Sequence, residues 1–290
     1  MSGKALVLGS TGMLGSAVYV ELRKAGLSPL SASRTAGVRF DASEPDINRL
    51  FQDAELGAGD FVINCVGLTK ARIDESSAES RMLAVALNVD FPHALAMRAE
   101  ASGVKVIQVA TDCVYSGLQG AYSESDKHDP LDVYGKTKSL GEIPSNSVMH
   151  LRCSLIGPEL GRSSLFFEWL RQLPVGSSIN GYTNHIWNGL SSDAFGKIVV
   201  GIIQEGIFSP GVQHLVPTDI VTKDELVRLV LEHLNRLDVN VNSIEAESSV
   251  NRTLSTNNQG KNELLFRAAG YSKLPTIREM VSQTCHQLAN

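Results

Sequence analysis

Tyr134 and Lys138 stand four residues apart in Tyr134-Gly135-Lys136-Thr137-Lys138, and of the six tyrosines only Tyr134 has a lysine at that distance. On a helix this spacing puts both side chains on one face. A tyrosine with its ordinary pKa of about 10 is a poor acid–base group at neutral pH. A nearby ammonium stabilises the phenolate and brings the group toward the working range. The same ammonium can hold a ribose hydroxyl. A Tyr-x-x-x-Lys pair is common by chance, so its weight comes from context. It lies downstream of a glycine turn and shortly after Thr111, which ends a strand candidate.

That turn is Gly9-Ser10-Thr11-Gly12-Met13-Leu14-Gly15, which follows the first apolar run and opens the first helical pattern. A dinucleotide fingerprint needs this context. Gly9 permits the tight turn, Gly12 lets a pyrophosphate approach the backbone, and Gly15 lets helix and strand pack closely. N–H groups at the helix start then face the anion. About twenty residues beyond such glycines an NAD site places an acid for the ribose hydroxyl. Here the segment reads Ser31-Ala32-Ser33-Arg34, with no acid. Arg34 suits a 2′-phosphate through charge-assisted contacts. The expected cofactor is therefore NADP(H), with NAD(H) possible, and Asp41-Ala42 is placed near the adenine.

Positioning these groups requires a scaffold, and the chain supplies one. Apolar runs at Ala5–Leu8, Leu30–Ser33, Phe61–Cys65, Val104–Val109 and Val148–Cys153 read as strands. Helical patterns lie between them at Met13–Ala25, Ser80–Ala101 and Tyr134–Ile143. Continuous Val/Ile/Leu runs separated by helices suit a doubly wound α/β (Rossmann) domain with a parallel sheet. After Cys153 the rhythm loosens around Gly157-Pro158 and Leu173-Pro174, with a helical piece at Leu165–Arg171. Asp193–Gln204 reads as a helix and Gln213–Val216 as a strand. Thr222 with Glu225 forms a capping-box pattern opening a helix to about Leu234. A polar stretch, Ser248–Lys261, precedes a final helix from about Thr276. The expected plan is a cofactor domain over residues 1–156, with 186–216 returning to it. Residues 157–185 and 217–290 form a smaller C-terminal, substrate-binding portion.

Composition narrows the function further. The chain has 290 residues, 43% of them hydrophobic and 20% charged, inside the ordinary globular range. A net charge of −5 argues against nucleic-acid binding. The N-terminus lacks a basic stretch with an apolar core, and no segment is long enough to span a membrane. Cys65, Cys113, Cys153 and Cys285 are far apart, without CxxC or HExxH, so neither a disulfide framework nor a metal site is expected. The expected location is the cytoplasm.

With these residues in hand, the chain resembles the extended short-chain dehydrogenase/reductases, and among them the dTDP-4-dehydrorhamnose reductase-like family. Thr111-Asp112-Cys113-Val114-Tyr115-Ser116-Gly117 is similar to that family's Ser-Thr-Asp-Tyr-Val-Phe-x-Gly segment. Tyr134 through Glu142 is similar to its Tyr-Gly-x-Ser/Thr-Lys-x-x-Gly-Glu helix. Leu151-Arg152-Cys153-Ser154 resembles its Leu-Arg-Thr-Ser strand, and Asn251-Arg252-Thr253-Leu254-Ser255 loosely resembles its Arg-Pro-x-Asn-Ser stretch. The resemblance implies Thr111, Tyr134 and Lys138 as catalytic residues acting on a nucleotide-linked 4-keto sugar. It implies Cys65, Val66, Gly67 and Ala110 along the cofactor, and Asp112, Leu155 and Arg252 near the substrate. It also implies a homodimer and polysaccharide biosynthesis.

The departures leave the sugar and its nucleotide open. The family's tryptophan after Arg-Thr-Ser is Leu155 here, its tyrosine after Thr-Asp is Cys113, and its Gly-x-Pro-Thr segment is replaced around Gly189–Ser192. Two alternatives follow. Cys113 lies two residues after Thr111, as a cysteine does in epimerase–reductases, with His185 as a candidate acid–base partner. A non-catalytic NADP-binding regulatory subunit is the other.

Overall fold

A computed structural model of the chain describes residues 3–35, 37–158 and 166–289. Strand β1 (Ala5–Leu8) is buried along its whole length because neighbours lie on both edges and helices on both faces. Around it assemble β2 (Leu30–Ser33), β3 (Val38–Arg39), β4 (Phe61–Asn64), β5 (Lys105–Thr111), β6 (Val148–Cys153) and a late strand, Gly211–His214. Together they form a seven-stranded sheet in the order Gly211–His214, β6, β5, β4, β1, β2, β3. All its pairings are parallel. The order reverses between β1 and β4, the crevice where doubly wound sheets bind ligands beyond their C-terminal strand ends.

Period-two alternation assigns each strand's residues to two cores. Val7, Ile63, Ile107 and Met149 face helices α1 (Met13–Lys24) and α7 (Ser192–Gln204). Leu6, Leu8, Val62 and Val106 face α2 (Ile47–Asp53) and α4 (Phe91–Ser102). The first core also takes in Phe266 of α9 (Gln259–Ala268) and Ile277 and Met280 of α10 (Ile277–Ala289). The C-terminal helices therefore share apolar packing with the nucleotide-binding sheet.

Between β4 and β5, one expected helix over Ser80–Ala101 is three pieces. These are α3 (Ala78–Val85), a π-turn (Ala86–Asp90) and α4. The expected Tyr134–Ile143 helix is α5 (Val133–Leu140), capped by the Asp132 side chain at 2.7 Å from the Gly135 N–H. Beyond β6, β7 (Leu155–Ile156) leads to α6 (Phe166–Arg171); Leu165 of the expected helix lies outside the described residues. Strands β8 (Ser178–Tyr182), β9 (His185–Trp187) and β10 (Leu190–Ser191) then precede α7. The expected strand Gln213–Val216 is shifted, and β11 is Gly211–His214. After it come β12 (Val221–Thr222), α8 (Lys223–His233), β13 (Asn240–Ile244) and β14 (Val250–Asn251). The capping box at Thr222 and Glu225 forms as expected. The polar stretch contains the start of α9, capped by Asn258. Helix α2, capped by Asp46, is too short to declare itself by periodicity.

One buried charge ties several of these elements together. Arg152 on β6 is 1% exposed, and all five of its N–H donors have acceptors. Two go to Glu142 just beyond α5, Nε at 3.2 Å and Nη2 at shorter range. Nη1 donates to the Tyr115 hydroxyl at 2.8 Å and to His214 Nε2 at 2.6 Å. Nη2 also donates to His128 Nε2 at 2.9 Å. His214 passes its other ring proton, on Nδ1, to the Ser255 carbonyl at 2.7 Å. A guanidinium cannot accept, so this geometry fixes His214 neutral.

Burial, helped by Arg152, pushes the His214 imidazole down to about 4. In an unfolded chain histidine titrates near 6.5. Below that pH the unfolded state takes up a proton that the folded state refuses, so stability falls from about pH 6.5 toward pH 4. The loss should reach about 2 kcal/mol between pH 7.5 and 5, a range in which most carboxylates stay ionised. Urea unfolding across that range should show His214→Gln losing correspondingly less than the parent. Parallel pH dependences in the two proteins would contradict the assignment.

Candidate active site

The glycine turn sets one wall of the cleft. Gly9 adopts φ 73°, in the left-handed region open to glycine. A Cβ on Gly15 would sit 2.2 Å from the Gly9 carbonyl oxygen, so only hydrogen lets α1 start against the turn. Gly12 precedes α1 with no side-chain cap, leaving the first helical N–H groups for an incoming anion. Gly9, Thr11 and Gly12 line a cavity of about 270 Å³ together with Arg34, Asp41, Ala42, Cys65, Val66 and Gly67. Expected cofactor residues from three strand ends thus meet in one place. Met13, Leu14, Gly15, Ala110, Tyr134 and Lys138 do not line it; Leu14 and Ala110 are buried. Arg72, Leu83 and Leu87 line the same cavity and were not singled out from the sequence.

Arg34 also lines a second cavity, of about 470 Å³, with Arg39, Arg49, Asp41, Glu44 and Asp46. Asp41 is the acid nearest in kind to a ribose partner. Hydrogen bonds from Ser43, at 2.7 and 3.0 Å, hold its carboxyl below the usual range and keep it ionised. Three arginines among three carboxylates, beside a glycine turn and a bare helix start, fit NADP(H) and leave room for NAD(H).

Away from this cavity, α5 lies directly on the segment after β5. A Cβ on Gly135 would stand 2.2 Å from the Cys113 carbonyl oxygen, so the glycine after Tyr134 permits this approach. The Thr111 hydroxyl acts on the Tyr134 phenol from close by. Burial pushes the Tyr134 phenol up, with Thr111 acting in the opposite direction. The expected lowering by Lys138 is not seen. Its ammonium donates instead to the Val109 carbonyl at 2.9 Å, and burial pushes its pKa down.

Asn88, in the π-turn, is a positioning residue that no sequence motif marked. Its Oδ1 accepts from Leu68 N–H at 2.8 Å. Its Nδ2 donates to the Leu68 carbonyl at 3.0 Å and to Thr137 Oγ1 at 3.1 Å. The cofactor-side loop after β4 and helix α5 are thereby held to one amide.

The substrate-side expectations separate. Asp112 is buried beside Thr111, 3.2 Å from its hydroxyl, and burial pushes its carboxyl up against the opposing charges of Arg252 and Lys223. Arg252 donates from Nε to the Tyr115 carbonyl at 2.9 Å. Leu155 is half-buried and packs against the main core. Burial and the Asp112 charge push the Cys113 thiol up to about 12, so it is held protonated and poorly suited to act as a base. His185 bonds the Ser248 carbonyl at 3.1 Å and packs on Tyr182; among the described residues no hydrogen bond joins it to Cys113. Among the same residues no group of His, Cys, Asp and Glu is placed to hold a metal, and no helix is long and apolar enough to cross a membrane.

Comparison with known proteins adds four relations. A family profile described as the RmlD substrate binding domain matches residues 3–155. Methionine adenosyltransferase 2 subunit beta of Xenopus laevis is 35% identical over 146 residues, which cover 49% of this chain and 42% of that protein. The chain thus spans less than half the length of that curated relative. A probable low-salt glycan biosynthesis reductase of Haloferax volcanii is 26% identical over 242 residues, 79% of each chain. A dTDP-4-dehydrorhamnose reductase from Bacillus anthracis, solved with NADP, superposes with a TM-score of 0.77 at 20% identity, covering 99% of this chain and 100% of that one. At that identity the structure speaks to the fold alone.

Arg34→Ala should weaken NADPH more than NADH, by about 1.5–3 kcal/mol, the range for a hydrogen bond to a charged group. Fluorescence titration of both cofactors checks this. Equal losses for the two would show that Arg34 does not read the 2′-phosphate.

Proposed function

The chain belongs to the RmlD substrate binding domain family, and from that premise we propose that it is an NADP(H)-dependent reductase of a nucleotide-linked 4-keto hexose. The observation that carries this reading is the close seating of α5 on the segment after β5, permitted by Gly135, which sets Tyr134 beside Thr111 in a chain whose glycine turn lines the cofactor cavity. NADPH held by Gly9, Thr11, Gly12 and Arg34 would supply hydride to the carbonyl carbon. Tyr134, kept protonated by burial, holds the proton that the developing alkoxide requires. Thr111, whose single hydroxyl proton goes to Asp112 at 3.2 Å without substrate, would turn it to the carbonyl oxygen as a second donor. Lys138, one turn along α5, keeps its ammonium on the Val109 carbonyl, where it remains a candidate for a ribose hydroxyl. The glycan biosynthesis reductase among the relatives is in keeping with a role in polysaccharide biosynthesis. We keep the homodimer in the same proposal, with exposed Met82, Met97 and Leu140 as apolar candidates for its surface. The proposed division stays at residues 1–156 with 186–216 for cofactor, and 157–185 with 217–290 for substrate. A cytoplasmic site of action belongs with it.

Similarity of half the chain to a protein named as a β subunit favours one other reading, an NADP-binding regulatory subunit without turnover. The presence of Thr111, Tyr134 and Lys138 together weighs against it. The raised Cys113 thiol weighs against an epimerase that would use it as a base.

Tyr134→Phe keeps the ring and its packing but removes the proton, so folding and NADPH binding should persist. A positioned general acid contributes about 10²–10⁴-fold, and kcat should fall by that much. Single-turnover reduction of a panel of 4-keto sugar nucleotides, beside an NADPH titration, makes the measurement. A near-parental rate with normal NADPH binding would show that Tyr134 is not the proton donor.

A further inference from the structure

Lys223 opens α8 and lies buried near Asp112 and Cys113, although the sequence presents it only as the residue after a helix cap. Its ammonium lies 5.2 Å from the centre of the Trp187 ring and 5.7 Å from that of Phe166. Trp187 is in turn fixed by its indole N–H, which donates to Ser154 Oγ at 2.8 Å. The indole is therefore tied to the residue before Leu155. Among the described residues no hydrogen bond and no carboxylate within ion-pair distance engages the Lys223 ammonium. Aromatic faces offset only part of the cost of taking an ammonium out of water.

The charges nearby point the same way. Asp112 is buried and already bonded to the Thr111 hydroxyl at 3.2 Å and the Cys113 thiol at 3.7 Å. Both Lys223 and Arg252 act on that single carboxyl. Arg252 spends its Nε on the Tyr115 carbonyl, which leaves the two ends of its guanidinium without a bonded partner among the described residues. Arg252 acts on Asp132 as well, which Lys70 already pairs at 2.8 Å, so three cations face two carboxylates around Thr111 and Tyr134. Within the described structure one positive charge is uncompensated there, although the whole chain carries a net charge of −5.

We propose that Lys223, seated on Trp187 and Phe166 and assisted by Arg252, binds an oxyanion of the substrate beside Thr111 and Tyr134. The inference rests on the nucleotide-sugar reading above. It adds that the substrate carries a carboxylate or phosphate at this point. Lys223 is thus a specificity residue, and the anion is either a carboxyl on the sugar or the diphosphate that links sugar to nucleoside.

Calorimetric titration of the NADP⁺-loaded protein with UDP, dTDP, UDP-glucose and UDP-glucuronic acid tests this. Lys223→Met keeps the apolar stem on the rings and removes the charge; Lys223→Arg restores it. Lys223→Met should weaken the anionic contact at least about tenfold, and Lys223→Arg should recover most of the loss. A loss confined to UDP-glucuronic acid assigns a sugar carboxylate; a loss shared by every ligand, the free nucleotides included, assigns the diphosphate. Thermal melting separates this role from a structural one, because removing an uncompensated charge should leave the melting temperature unchanged or higher. Affinities for all four ligands within threefold of the parent would overturn the assignment of Lys223 alone. Failure of the parent to bind any of them would overturn the nucleotide-sugar reading along with it.

Discussion

A buried guanidinium with five acceptors permits very little movement around it. Arg152 is planar, always charged and almost wholly enclosed, so each of its bonds has a fixed direction and each lost bond leaves a buried charge less compensated. Its acceptors come from the end of α5, the segment after β5, the loop carrying His128, and β11. The proposed reacting groups sit on the first two of these. Tyr134 is carried by the helix that Glu142 follows, and Thr111 begins the segment in which Tyr115 is bonded. Their meeting is thus set from behind, by a charge that touches neither.

From the cofactor side, Asn88 performs the complementary task. Its amide binds both backbone groups of Leu68 and also Thr137, so the loop that lines the nucleotide cavity cannot move independently of α5. The π-turn that carries Asn88 interrupts what would otherwise be one long helix. Such interruptions often occur at functional sites, since the extra residue re-aims a side chain. Between these two anchors the cleft has a graded chemistry. It is basic where Arg34 stands, proton-bearing at Thr111 and Tyr134, and basic again at Lys223 and Arg252.

Much of this arrangement could be read from local pattern. The glycine turn, the buried strands and the Tyr134–Lys138 spacing each depend on residues a few positions apart, and the sheet places them as the pattern implies. What escaped depends on distance. Arg152 finds His214 across 62 residues, and no local pattern announces a guanidinium aimed at an imidazole. Asn88 reaches Thr137 across 49. Helix α9 hid in a polar stretch because its apolar contacts, Leu265 and Phe266, fall at its far end. The glycines of the Tyr134–Glu142 segment were legible as a motif but not as physics. Only the structure shows the Cys113 carbonyl occupying the space of a Gly135 side chain. Expecting Lys138 to lower the Tyr134 pKa failed for a related reason, since the Val109 carbonyl competes for the same ammonium.

The central claim is that a carbonyl reduced by NADPH lies between Thr111 and Tyr134, and isotope transfer tests it without reference to rate. The protein would be incubated with a 4-keto sugar nucleotide and NADPH deuterated at the transferable position, and the product analysed by mass spectrometry and NMR. The account predicts one deuterium on the former carbonyl carbon and none from solvent at the neighbouring carbons. Cofactor that binds but never delivers its deuterium, across a panel of such substrates, would contradict it and leave the regulatory reading standing.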